Sequence, residues 1–330
     1  MRITNEKLVE LGRREAEQRA AIGDVISGYI IGSVAHNRAM LGGTADIDLV
    51  LIHEEPPPVP MEVVPLSDQI HLDITHHSRE LYTQPRDLRV HPWLGPSLCE
   101  PIFLHDPQHF FERAQAGARG RFFRPDHIHI RACAFLKRAR HARAVLNLSN
   151  RWIKTYSRAV LEAANAAVSL SGFPVAGRRL VLDLERASEE LNYAEVYEGF
   201  LQLLGAENVD GWNMPDLLSA WARAYDFSGE ISSDPDLAPC RRSYYLSGFQ
   251  ALAEANRPEA VLWTLLTTWE NALQALELVE TAELHLQTWE ATLERLKLSP
   301  ATAGVRSEEL EQYLDQIEDF IEAWAKDNGV

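Results

Sequence analysis

Apolar residues are spaced in two different ways along this chain. Leu8, Leu11, Ala16 and Ala20 recur at helical intervals and predict an amphipathic helix over residues 4–21. The run Gly28-Tyr29-Ile30-Ile31 predicts a short strand, broken at Gly32-Ser33. The stretch from Val34 to Leu41 predicts a helix, stopped by Gly42-Gly43. A second strand, Ile47 to Ile52, ends in Glu54-Glu55-Pro56-Pro57-Pro58, where prolines remove the donors a ladder needs. Strict alternation over Ile70-His71-Leu72-Asp73-Ile74-Thr75 predicts a third strand. Ile70, Leu72 and Ile74 face one way; His71, Asp73 and Thr75 face the other. Proline-containing turns are expected between Pro85 and Pro107.

From Pro125 onward the period is helical throughout. Helices are predicted over 126–147, 150–171, 179–191, 194–204, 214–226, 241–256, 258–281, 283–297 and 306–327. Breaks fall at Gly172-Phe173-Pro174, Gly205, Gly211 and Ser299-Pro300. No fixed-period repeat emerges. The expected fold class is α+β. A head over 1–119, with a mixed β-sheet and flanking helices, precedes an all-helical C-terminal domain over 120–330.

Composition fits an ordinary folded protein, with 46% hydrophobic and 24% charged residues among 330. There is no apolar run of about 18 residues, so no membrane partner is expected. The amphipathic, charged start MRITNEKLVELGRREAEQ gives no secretory signal. Cys99, Cys133 and Cys240 are odd in number and widely spaced, which excludes a disulfide framework and a cysteine-based zinc site. A cytoplasmic location is the expectation. Net charge is −16, against a non-specific nucleic-acid binder. That average conceals −6 over residues 1–119, +9 over 120–186 and −19 over 187–330. The basic middle is either a surface for a polyanion such as a nucleoside triphosphate or a solvated helix face.

Three features of the head carry chemistry. After a strand, Gly32-Ser33 lets backbone approach a ligand closely, and N–H groups at the start of the next helix favour an anion. Asp46-Ile47-Asp48 opens an apolar strand, and period-2 geometry puts both carboxylates on one face. Such close like charges repel unless a cation lies between them, and hard oxygen ligands select Mg²⁺ or Mn²⁺. Asp73, on the next predicted strand, supplies a third carboxylate. It suits a two-metal clamp or a base that accepts a hydroxyl proton.

Gly32-Ser33, twelve residues, then Asp46-Ile47-Asp48-Leu49-Val50 and a later strand Asp73 resemble the DNA polymerase β-type nucleotidyltransferase superfamily. Within it, a small head followed by a helical body is similar to bacterial aminoglycoside nucleotidyltransferases and MNT-type proteins. The motif covers residues 28–75. The Gly-Ser to Asp gap is slightly longer than in the small bacterial members. Ala45 stands where a serine commonly precedes the first Asp, which weakens a phosphate contact but no metal ligand. The resemblance implies an Mg²⁺-dependent enzyme that moves a nucleoside monophosphate from an NTP, with ATP expected, to a hydroxyl. The implied acceptor is a small molecule of the aminoglycoside kind or a protein, with RNA disfavoured by charge. Asp46 and Asp48 would bind both ions; Asp73 would ligate one and act as base; Gly32 and Ser33 would cradle the phosphates. Lys154, Arg178 or Arg179 would reach the triphosphate from the helical body. The alternatives are a catalytically weak nucleotide-sensing or antitoxin-like module, and a helical interaction scaffold regulated by the head.

Other residues attract attention and are read as structural. His71, His76 and His77 lie near Asp73 but have no second cluster at zinc-ligand spacing, although His71 could orient the acceptor. His127 and His129 fall on different sides of a helix. Trp263, Trp269 and Trp289 are expected in a core. Asp183, Glu185, Glu189 and Glu190 read as a solvated helix face rather than a site for a cation.

Overall fold

Thr4 caps the first helix, accepting from the Lys7 amide at 3.4 Å, and α1 runs Asn5–Ile22 to a stop at Gly23. It buries Leu8, Gly12 and Ala16, a stripe spaced four residues apart. At Gly12 an added Cβ would lie 2.7 Å from Ile30 Cδ1, so helix and sheet approach closely there. The computed structural model describes residues 3–146, 152–209, 211–276 and 283–330, the side chains of Glu283 and Leu284 apart. The predicted ends of the helices over 126–147, 150–171 and 258–281 fall partly outside these residues. The chain divides into two units, Met1–Phe122 and Phe123–Val330.

The first unit holds β1 (Val25–Ile30), α2 (Gly32–Ala35), β2 (Ala45–His53), β3 (Met61–Ser67) and β4 (Ile70–Ser78). It continues with α3 (Pro85–Leu88), α4 (Leu94–Ser97), β5 (Ile102–His105) and α5 (Phe110–Arg119). The strands form one sheet in the order β3-β4-β2-β1-β5. β2 and β4 are parallel; the other neighbours are antiparallel. Because β2 alternates, Ala45, Ile47, Leu49 and Leu51 face α1, joined by Ile70, Leu72 and Ile74 of β4. Val50 and Ile52 point to the opposite face, where Tyr29, Tyr82, Leu88, Leu94, Leu98 and Phe111 form a second core. Tyr29 stacks on Phe111 at 4.0 Å between ring centres. Fully burying a side chain of this size contributes about 2–3 kcal/mol, so each face of the sheet carries a stabilising apolar layer.

The second unit is helical among the described residues. Its elements are α6 (Pro125–Ala144), α7 (Trp152–Val168), α8 (Leu180–Glu190), α9 (Glu195–Leu203), α10 (Met214–Ile231), α11 (Arg241–Glu254), α12 (Glu259–Leu276), α13 (Glu283–Arg295) and α14 (Ala303–Asp327). α14 packs against both α6 and α7, and α10 against α12. The protein is therefore α+β, a five-stranded mixed sheet with flanking helices followed by a long helical region. No helix of the described residues is long and apolar enough to cross a membrane. Trp263, Trp269 and Trp289 are buried, as their helical spacing implied.

Two readings of the sequence need correction. The helix after Gly32-Ser33 does not extend to Leu41. It ends after one turn, where Asn37 turns left-handed (φ 55°) and the Arg38 amide donates back to the Ser33 carbonyl at 2.8 Å. Glycines 42 and 43 then close a tight turn, with Leu41 bridged to Thr44. The basic middle is also not simply a solvated face. On α6, Arg140 pairs with Asp315 at 2.7 Å and with Glu318, and Arg143 pairs with Glu311 at 2.7 Å, all three acids on α14. Part of the +9 stretch is thus matched against the acidic C-terminal part inside one unit.

Candidate metal centre

β2 begins with buried Ala45 and keeps Ile47 and Leu49 in the core, which turns Asp46 and Asp48 together to the other face. The parallel register with β4 sets Asp46 beside His71 and Asp48 beside Asp73. Neighbouring strands lie about 4.8 Å apart, so side chains paired across them on one face meet. One carboxylate oxygen from each of Asp46, Asp48 and Asp73 lies within 4.8 Å of the others. Among the described residues this is the one group of His, Cys, Asp and Glu close enough to share a metal ion.

Asp73 is buried, 9% exposed, whereas Asp46 and Asp48 are half-buried. At an effective dielectric of about 20, two carboxylates this close repel by about 3 kcal/mol. A divalent cation among them reverses the sign of that interaction. An all-oxygen set suits Mg²⁺, Mn²⁺ or Ca²⁺ over softer ions.

Gly32 adjoins the cluster. Its φ is +69°, and a Cβ built there would fall on the Asp48 carboxylate. Both the left-handed backbone and the carboxylate therefore exclude a side chain. Next to it, the Ser33 hydroxyl is buried with no hydrogen-bond partner among the described residues. A buried hydroxyl left without a partner carries a desolvation penalty that a bound acceptor group would remove. The one-turn α2 adds little macrodipole, so this hydroxyl and the local backbone carry any anion contact.

The three histidines near Asp73 are separated by strand alternation. His71 shares the Asp73 face, with Nε2 3.5 Å from Asp73 Oδ1. His76 points to the α1 side, in a line of hydrogen bonds through Asp24, His53, His76 and Glu62 at 2.7, 2.8 and 3.0 Å. His77 returns to the Asp73 face farther along and meets the Tyr82 hydroxyl at 2.6 Å. Burial, with His76 nearby, lowers its pKa to about 4. The sequence had not shown that His71 touches Asp73, but their shared parity on β4 was the available signal.

The basic residues expected at a triphosphate lie in the second unit. Arg178 is 6% exposed, donates to the Tyr244 carbonyl at 2.7 Å and lies 3.5 Å over the Tyr244 ring. Lys154 donates to Gln274 Oε1 at 2.9 Å, and Arg179 is half-buried at the N-terminus of α8. On α8, Glu185 pairs with Arg257 at 2.8 Å and Asp183 with Arg186 at 3.4 Å.

No protein-family model matches the chain, and no curated protein matches it. Among solved structures, the chain is similar to a nucleotidyltransferase-like protein from Exiguobacterium sibiricum 255-15. That similarity covers 89% of each chain at 10% identity and a TM-score of 0.29. A superposition this loose carries no argument, and the acidic cluster stands on its own geometry.

Proposed function

We propose that the chain is a nucleotidyltransferase of the polymerase β type, with residues 1–119 as the nucleotidyltransferase domain. Residues 120–330 would serve the acceptor and the triphosphate. The single observation that carries this is the convergence of Asp46, Asp48 and Asp73 from two neighbouring strands, oxygen to oxygen within 4.8 Å. Gly32, fitted against Asp48, and the partnerless Ser33 hydroxyl support it.

Asp46, Asp48 and Asp73 would hold Mg²⁺ or Mn²⁺. Bound there, the ion supplies positive charge that eases ionisation of the attacking oxygen and offsets the charge on the leaving pyrophosphate. Asp73 takes the proton of the acceptor hydroxyl. The freed oxygen bonds to the α-phosphorus of the NTP, the bond from that phosphorus to the bridging oxygen breaks, and pyrophosphate departs. Ser33 donates its hydroxyl hydrogen to a phosphate oxygen, and Gly32, lacking a side chain, lets the backbone come close to the phosphates. Lys154, Arg178 and Arg179 are assigned to the triphosphate by the resemblance alone, and the Tyr244 contacts of Arg178 make it the least available of the three. A cationic small molecule or a protein is the favoured acceptor, given a net charge of −19 over residues 187–330.

Incubation of the full chain with Mg²⁺ and labelled ATP, GTP, CTP or UTP tests this, against a panel of small polycations, proteins and tRNA. Pyrophosphate release that vanishes in Asp46→Ala and Asp48→Ala supports transfer. Nucleotide binding without release would instead favour a nucleotide-sensing module, and full turnover in either variant would overturn the site.

A further inference from the structure

His71 has no role in the chemistry above, yet it lies against the cluster. It pairs in register with Asp46 and precedes Asp73 by two residues on the same face of β4. The residue is 1% exposed, and its Nε2 faces Asp73 Oδ1 at 3.5 Å, an ion-pair distance just beyond hydrogen-bond geometry. The group of mutually close ligand atoms contains the three aspartates and not His71. The imidazole therefore stands beside the metal ligands rather than among them.

A carboxylate can offer an ion one oxygen or two, and the terminal torsion of an aspartate is broad. A ring fixed in a buried strand position and directed at one oxygen removes that freedom. Residues that orient a ligand in this way affect metal affinity without touching the ion.

Resting on the metal site proposed above, we infer that His71 is a positioning residue. With the ion bound, its Nε2–H would close the 3.5 Å gap to Oδ1 of Asp73, so that Asp73 gives the divalent cation its other oxygen alone. His71 thereby sets the ion's position relative to Asp48, the register partner of Asp73.

Mn²⁺ titration of the full chain, followed by electron paramagnetic resonance without nucleotide, tests this. Wild type should bind Mn²⁺, and Asp48→Asn should lose it. His71→Leu, which deletes the donor, should weaken Mn²⁺ binding about tenfold, while His71→Gln, which keeps an N–H at similar reach, should stay within about threefold of wild type. Equal binding in wild type and His71→Leu would overturn the positioning role and leave the metal site standing. Equal losses in the Leu and Gln variants would also overturn it, since volume alone would then account for both. If His71→Leu does not fold, His71→Asn replaces it. Its amide is too short to reach Oδ1, so it should bind about tenfold more weakly than His71→Gln, and parity between the two overturns the role. No Mn²⁺ binding by wild type would remove the metal site itself, and this inference with it.

Discussion

Asp48 of β2 and Asp73 of β4 are direct partners in a parallel strand pair, with carboxylate oxygens within 4.8 Å. A fold that sets two like charges opposite each other gives up stability at that point, and Asp46 on the same face adds to the cost. Removing one of the charges therefore separates stability from function. Asp46→Ala and Asp48→Ala should lower Mg²⁺-dependent pyrophosphate release by about 100-fold or more, with a thermal midpoint unchanged or raised. Asp73→Asn should lower turnover far more than it weakens nucleotide binding. Parallel turnover and binding assays check both, and equal losses for Asp73→Asn would mark its role as structural.

Ser33 offers a second separation. Its buried hydroxyl has no partner among the described residues, so Ser33→Ala should leave the thermal midpoint unchanged or raise it. If the hydroxyl donates to a phosphate oxygen, the same change should raise the KM for NTP by about tenfold, the worth of one hydrogen bond to a charged group. Steady-state kinetics with varied NTP reads this directly.

Gly32→Ala combines two penalties. The left-handed backbone costs a residue with a Cβ about 1–2 kcal/mol. The new methyl group also meets the Asp48 carboxylate. A fall in thermal midpoint of about 2–6 °C is expected, together with weaker Mn²⁺ binding, because Asp48 must move. A stable variant with unchanged metal affinity would contradict the placement of Gly32 against Asp48.

Stability should also depend on pH through His77. Burial depresses its pKa to about 4 from the ordinary value of 6.5, and the neutral ring meets the Tyr82 hydroxyl through Nδ1. Because the unfolded chain takes up this proton more readily, the contribution is complete above pH 6.5. It is lost progressively as pH falls from 6.5 to about 4. His77→Leu should flatten that part of the curve of thermal midpoint against pH, and an unchanged slope would assign the dependence elsewhere.

The side of the sheet on which each aspartate lies was legible because strand alternation is a property of the backbone: Ile47 and Leu72 could not enter the core against α1 without turning Asp46, Asp48 and Asp73 to the opposite face. Strand pairing was less visible. β3 contains Pro65 and sits at the sheet edge, where proline is tolerated, with a register irregularity beside it. β5 has four residues and follows Pro101, too short for a pattern to show. α5 escaped notice because its cap is remote: Asp106 accepts from the amides of Phe111 and Glu112 at 3.1 and 2.9 Å, while His109 turns left-handed. Partners distant in sequence were beyond reach. Arg178 and Tyr244 are 66 residues apart, and nothing local announces that one stacks on the other.

Anomalous diffraction at the manganese edge, from crystals grown with Mn²⁺ and a non-hydrolysable NTP analogue, bears most directly on the three aspartates. A peak bonded to oxygens of Asp46, Asp48 and Asp73, with the analogue's phosphates beside Ser33, is the expected result. A fully bound nucleotide with no metal peak at those carboxylates, or with the metal elsewhere, would contradict the account.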